Sequence, residues 1–234
     1  MFLEKSVIIE FNGLPATGKT TIANHLSSIL NHEKILHQRS YVRRWWEKFG
    51  RTVFVDPCCS SLFYLLLRFA NQIIPRKSRL THIGGELYHY RTYRNFLREK
   101  KTPSVLIIDQ GLIQSIISIA HLDVIEKTDV LARIFEYYKK KNICFIRVDC
   151  LVDEHIACER LTTRKKNSAR LHNVSHSELY SAMRCQAENF TLVRGLFSHC
   201  CPDNPTIVLD ETLAPEVNAE LIFSKLIEYG VLTK

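Results

Sequence analysis

A three-layer α/β fold, a five-stranded parallel sheet flanked by helices and topped by a lid, is what this sequence predicts, on three observations. Short apolar, β-branched runs at Ser6 to Phe11, Val105 to Ile108, Ile143 to Val148 and Thr206 to Leu209, with a weaker fifth at Lys34 to His37, read as strands. Long helical patterns separate them, and strands alternating with helices imply right-handed crossovers and a parallel sheet. Residues 13 to 20, Gly13-Leu14-Pro15-Ala16-Thr17-Gly18-Lys19-Thr20, form a complete G-x-x-x-x-G-K-T string between the first strand and the first helix, the setting this motif requires. In such a sheet, ligands bind at the C-terminal ends of the strands.

The first strand, around Val7-Ile8-Ile9, leads directly into that loop, and the spacing Ile22, Leu26, Ile29, Leu30 marks the amphipathic helix that follows. Small residues let backbone N–H groups converge on phosphate oxygens at a helix N-terminus, where the dipole favours negative charge. Gly13, Leu14, Pro15, Ala16, Thr17, Gly18, Lys19, Thr20 and Thr21 are therefore the residues expected to hold a nucleoside triphosphate, ATP foremost. Lys19 supplies a mobile point charge for the β- and γ-phosphates, and the Thr20 hydroxyl is expected in a magnesium shell.

The stretch from Ser40 to Thr102 is longer than a minimal crossover and carries two helical patterns, Ser60 to Ile74 and Gly84 to Lys100. It is the place to expect elements that close over an acceptor, although Leu62 to Leu67 suits an extra packing layer equally well. In Tyr88-His89-Tyr90-Arg91-Thr92-Tyr93-Arg94, arginines and rings lie on consecutive helical turns. Arg91 is the preferred ligand for an acceptor phosphate, with Arg39 second. Tyr88 and Tyr93 are candidates to stack on a base, weighed against the commoner fate of aromatic stripes, which is the core. Trp45-Trp46 after Arg43-Arg44 suits a substrate, a partner, a membrane surface or a buried position alike.

The run Val105-Leu106-Ile107-Ile108-Asp109 is a buried strand ending in a carboxylate that faces the loop from a neighbouring strand. Asp109 is placed to hold magnesium through water, or to orient or deprotonate an acceptor hydroxyl, or simply to cap the next helix. Helix Asp153 to Lys166 carries Arg160 and Arg164 on one face and continues into the basic loop to Arg170. That is the make-up of a lid, over about 160–175, which neutralises charge and excludes water, set against a plain solvated face.

Size and composition bound the reading. A chain of 234 residues suits one α/β domain with an acceptor-binding insertion at about 40–102. The net charge of +8 suits polyanionic ligands; basic residues lie scattered in short clusters without a recognised nucleic-acid module, which speaks against nucleic acid as partner. None of the eight cysteines forms a C-x-x-C pair, so cysteine ligation of a metal is not expected. Leu62 to Ile74, broken by Arg68, falls short of the roughly 20 residues that span a bilayer. The chain enters its first strand without room for a secretory leader, and the expectation is the cytoplasm with free thiols. A small-molecule phosphate acceptor is the expected partner, and a homodimer is left open.

Taken in order, these features resemble the thymidylate-kinase-like and deoxynucleoside kinase branch of the P-loop kinases over most of the chain. Gly13 to Thr20 is similar to the family's phosphate loop, Arg91 to its acceptor-binding arginine, Asp109 to the opening of its Asp-Arg-Tyr-like motif, and Ala157-x-x-Arg160-x-x-x-Arg164 to its lid. Val208-Leu209-Asp210 and the last helix resemble the segment that packs near the donor adenine. The resemblance implies a P-loop fold and transfer of the γ-phosphoryl group of ATP, with magnesium, catalysed by Lys19, Asp109, Arg160 and Arg164. Two departures bear on the acceptor: Gln110-Gly111 follows Asp109 where an arginine and an aromatic residue are expected, and His37-Gln38-Arg39-Ser40 lacks Arg-Glu-Pro. No carboxylate ends the second strand, which favours a nucleoside monophosphate, already an anion, over a hydroxyl. If Asp109, Asp56 or Glu47 acts as base, then a nucleoside, a sugar, a polysaccharide end or an antibiotic hydroxyl becomes the acceptor; an ATPase switch is the other alternative.

Overall fold

The computed structural model of the chain describes residues 2–3, 6–30, 76–98, 105–109, 111–119, 128–141, 145–163, 175–210 and 212–233. In chain order these form β1 (Phe2–Leu3), β2 (Val7–Gly13), α1 (Lys19–Ile29), α2 (Arg76–Arg98), β3 (Val105–Ile108), α3 (Leu112–Ile119) and α4 (Thr128–Lys140). Then come β4 (Ile146–Cys150), α5 (Glu154–Thr163), α6 (His176–Cys200), β5 (Thr206–Leu209), α7 (Pro215–Glu228) and β6 (Leu232–Thr233). The parallel sheet runs β3-β2-β4-β5, while β1 and β6 pair antiparallel and join the two ends of the described chain. The sheet of the described residues thus has four strands where five were expected, the fifth expectation, at 34–37, lying outside them. The helical pattern at 60–74 and the cluster at 43–46 also lie outside.

Side chains of β2 alternate between two cores. Val7, Ile9 and Phe11 pack with Ile22, Ala23 and Leu26 of α1 and with Ala219, Ile222 and Leu226 of α7. Ile8 faces the other way, with Tyr90 and Tyr93 of α2, Leu112 and Ile113 of α3, and Phe190 and Phe197 of α6. Such two-sided burial is what continuous apolar strands of a parallel sheet need. A third cluster, Leu14 with Ala157, Cys158 and Leu161 of α5 and Leu179 and Met183 of α6, seats α5 beside the loop that follows β2.

Two boundaries differ from the sequence reading. Helix α2 begins at Arg76, before the expected start near Gly84, and carries Gly84 and Gly85 in its interior. Each interior glycine costs only about 1 kcal/mol relative to alanine, too little to stop a long helix. Strand β4 (Ile146–Cys150) runs past the expected end at 148, because its charged half is paired: Arg147 sits opposite Glu10, Asp149 opposite Asn12, and Cys150 opposite Gly13 on β2; residues 143 and 144 of the expected strand lie outside the described residues. Among the described residues no helix is long and apolar enough to cross a membrane.

Candidate active site

Strand β2 delivers the glycine-rich loop. Gly13 has φ 145°, and a Cβ there would overlap the Cys150 carbonyl oxygen of β4, so only glycine lets the chain leave the sheet this close to its neighbour. The chain turns through Ala16 (φ 64°) and Gly18 (φ 84°), both left-handed, and enters α1 at Lys19. Gly18 gives no side-chain cap and the first turn holds no acidic residue, so no side chain of α1 itself caps its positive end. Lys19 is buried within the loop; its Nζ donates to the carbonyls of Gly13 at 2.8 Å and Leu14 at 2.6 Å and to Thr17 Oγ1 at 3.3 Å. The Thr17 hydroxyl in turn donates to the Leu14 carbonyl at 3.0 Å.

Strand β3 brings a carboxylate to the same place. The Thr20 hydroxyl donates to Asp109 Oδ2 at 3.0 Å, across 89 residues of sequence. Asp109 Oδ1 is buried and has no hydrogen-bond partner among the described residues. A hydroxyl and a carboxylate are hard oxygen donors, and this pair fits magnesium, which takes one or two protein oxygens and completes its shell with water and phosphate. Among the described residues no group of three His, Cys, Asp or Glu side chains makes a metal site by itself.

Arg160, exposed on α5, lines a cleft of ≈ 240 Å³ together with Thr17 and Gly18 of the loop and Leu213, Pro215 and Asn218 at the start of α7. Asn218 Nδ2 donates to the carbonyls of Asp210 at 2.9 Å and Leu213 at 3.3 Å, which fixes the turn between β5 and α7 along one wall. Arg164 and Arg170 lie outside the described residues, as do Arg39, Glu47, Asp56 and Gln110. On α2, Arg91 is exposed, while the Tyr88 side chain is outside the described set. Tyr93, a candidate for stacking on substrate, is fully buried; its hydroxyl donates to Glu10 Oε2 at 2.6 Å and its ring meets Phe145 edge-on.

Glu10 is the group that sequence reasoning missed. It sits in the middle of β2 with no exposed surface. Its Oε2 accepts from the Tyr93 hydroxyl and from the Leu112 amide at 3.1 Å; its Oε1 accepts from the amides of Ile113 at 2.7 Å and Gln114 at 3.3 Å. Burial pushes the carboxyl up to about 7, against the pull of these four hydrogen bonds. A Cβ on Gly111 would overlap the Tyr93 hydroxyl and the Glu10 carboxyl, which gives Gly111 a steric reason to stand where an aromatic residue was expected. Gln114 Oε1 accepts from the Gly13 amide at 2.9 Å and so joins the start of α3 to the first residue of the loop. The available signal was a carboxylate inside an apolar strand, since Glu is almost never fully buried without partners.

Arg147 and Asp149 extend this buried polar strip along β4. Asp149 Oδ1 pairs with Arg147 Nε at 3.1 Å and Oδ2 with Arg194 Nε of α6 at 3.0 Å. Burial raises the Asp149 carboxyl while both guanidiniums pull it down. The neighbouring Cys150 thiol is pushed up to about 12 by burial and is inert as a nucleophile.

No protein-family model and no curated protein matches the chain. Solved structures do. A deoxyadenosine kinase from M. mycoides, with the products dCMP and a flexible dCDP bound, is similar with a TM-score of 0.58 at 17% identity, over 95% of this chain and 100% of that one. The same kinase with bound dATP gives 0.55 at 17% identity, over 94% and 100%. A shikimate kinase from Acinetobacter baumannii, in complex with shikimate, gives 0.50 at 14% identity, over 98% and 97%. The fold of this chain is that of the P-loop kinases.

Proposed function

We propose that this chain is an ATP-dependent phosphotransferase that moves the γ-phosphoryl group to a nucleoside or nucleoside monophosphate. It does so in one domain, residues 1–234, with an acceptor-binding insertion at about 40–102 and a lid at about 160–175. The observation that carries the reading is the contact of Thr20 with Asp109 beside Lys19, inside a complete G-x-x-x-x-G-K-T loop on a P-loop kinase fold. In this reading Gly13 to Thr21 cradle the triphosphate, and Lys19 leaves its loop carbonyls to neutralise the β- and γ-oxygens. Thr20 and Asp109 would hold magnesium, which when bound would supply Lewis-acid stabilisation of the phosphate charge. Arg160 and Arg164 close over the donor, and Arg91, Arg39 and Tyr88 orient the acceptor.

The deoxyadenosine kinase structures, with dCMP, dCDP or dATP bound, support a nucleotide-type acceptor and donor. The shikimate kinase likeness favours a second reading, a non-nucleotide acceptor with a hydroxyl, for which Asp109 is the base at hand. Purified chain with Mg²⁺ and ATP or GTP, offered a panel of nucleoside monophosphates, nucleosides, sugars and cyclic hydroxy acids, decides between them. One class is expected to stimulate nucleotide turnover and to appear phosphorylated by mass spectrometry; turnover indifferent to every acceptor would identify an ATPase switch instead. We place the protein in the cytoplasm, in keeping with free thiols at Cys150, Cys158, Cys185, Cys200 and Cys201. Light scattering checks the homodimer that this reading allows.

A further inference from the structure

Pairing of β2 with β3 ends at Glu10 opposite Ile108, one residue short of Asp109. Among the described residues that is the last registered pair between the strand that carries Asp109 and the strand that carries the phosphate loop. The Glu10 side chain takes over where the ladder stops: its two oxygens hold the amides of Leu112, Ile113 and Gln114, three to five residues past Asp109. The same carboxylate holds the Tyr93 hydroxyl, two residues from Arg91 on α2, and Gln114 carries the connection on to the Gly13 amide. We propose that Glu10 is a positioning residue for phosphoryl transfer, clamping the start of α3, and with it Asp109, to the loop strand and to the acceptor helix α2. This rests on the phosphotransferase reading above.

A carboxylate is required on chemical grounds. Four donors converge on two oxygens, and only an acceptor-only group at the positive end of α3 satisfies them all. A glutamine there turns its NH₂ toward backbone amides that also donate, and an aspartate is one methylene too short to reach them. Among the described residues, the titratable or charged groups that interact with Glu10 include Tyr93 of α2, Arg147 of β4 and, further off, Tyr138 of α4. Burial pushes both tyrosines well above their ordinary range, and a guanidinium keeps its proton, so Glu10 alone among them titrates near neutral pH.

The experiment uses the full chain with the acceptor found in the panel and compares wild type with Glu10→Gln and Tyr93→Phe for kcat, KM, Mg²⁺ half-saturation and pH profile. Glu10→Gln is expected to lower kcat about 10–100-fold and to raise the Mg²⁺ half-saturation, with KM for ATP within about twofold, as supporting groups behind a metal ligand do. The wild-type rise in kcat through pH about 7, where Glu10 ionises, is expected to disappear in Glu10→Gln. Tyr93→Phe keeps three of the four bonds and is expected to lose a few-fold in kcat and to shift that rise upward, because the lost bond is one that holds the carboxyl down. Equal kcat, Mg²⁺ dependence and pH profile in Glu10→Gln and wild type would overturn the role of Glu10 alone. If Glu10→Gln does not fold, an unshifted pH profile in Tyr93→Phe overturns it. A wild-type chain that phosphorylates nothing sinks the phosphotransferase reading itself.

Discussion

The two faces of strand β2 differ in one respect that organises the molecule. On one face Val7, Ile9 and Phe11 are apolar along the whole strand and meet α1 and α7. On the other, Ile8 is followed by Glu10 and Asn12, which lie opposite Arg147 and Asp149 of β4. The apolar face lowers free energy by removing surface from water, at about 25 cal/mol per Å². The polar face buries charge where it faces Tyr93, Gln114 and Arg194, and this costs stability unless each group is paired. It turns polar only over the last residues before Gly13, where the loop leaves the sheet. One face holds the fold together; the other holds the site in place.

The largest expected effect lies at the end of that strand. Lys19→Ala should lower kcat/KM by at least about 10³-fold, roughly 4 kcal/mol of transition-state stabilisation, with thermal unfolding little changed. Steady-state kinetics beside calorimetry tests the pairing of these results, and retained turnover would contradict the donor assignment.

Substitutions on the two faces sharpen the comparison. Ile9→Ala opens a cavity in a fully buried position and should cost about 3 kcal/mol. Asp149→Ala should cost about the same, because it strands the buried Arg147, while the partly exposed Arg194 regains water. Turnover per folded molecule should fall only for Asp149→Ala. Denaturant titration gives the first quantity and active-site titration the second; equal turnover in both variants would erase the functional difference between the faces.

A smaller effect, confined to the polar face, is a pH dependence of stability. Glu10 moves from 4.5 to about 7 on burial, so the folded chain holds its proton more tightly than the unfolded chain. Stability from this group is therefore complete below pH 4.5 and is lost as pH rises through about 7, in all about 3 kcal/mol. The stability difference between wild type and Glu10→Gln should shrink across that window, measured by denaturant unfolding at half-unit steps, and a constant difference would refute the assignment. Burial thus leaves the ionised carboxylate that four donors suit best only about half populated near pH 7, a cost that the apolar face offsets.

What the sequence disclosed follows from how far apart the interacting residues lie. The loop was legible because Gly13, Gly18, Lys19 and Thr20 act within eight residues. Asp109 was legible because a strand ending in a carboxylate beside such a loop is a local pattern. Glu10 was not: its partners are 83 to 104 residues away, and within the run Val7 to Phe11 nothing shows what pairs with it. Tyr93 was open to either reading for the same reason, since helical spacing gives its face but not the carboxylate beneath its hydroxyl. The strand expected at Ile143 to Val148 took in Arg147 but stopped short of Asp149, whose second counter-charge, Arg194, lies 45 residues on.

The smallest expected effect tests how far the division extends. Helix α6 contributes Arg194 and Ser198 to the polar strip, the latter accepting from Arg147 Nη2 at 3.0 Å, but it begins at a capping box remote from them. Ser175 Oγ accepts from the Glu178 amide, and the Glu178 carboxylate accepts from the Ser175 amide at 2.8 Å. Ser175→Ala removes this cap and should cost about 1 kcal/mol, seen as a fall of about 2–4 °C in Tm. Fraying is confined to the first turn, and Leu179 and Met183 pack α6 against α5 before Arg194 is reached. Turnover should therefore match wild type. A loss of turnover larger than the loss of stability would mean that α6 moves as one rigid rod and that the polar strip is felt along its whole length.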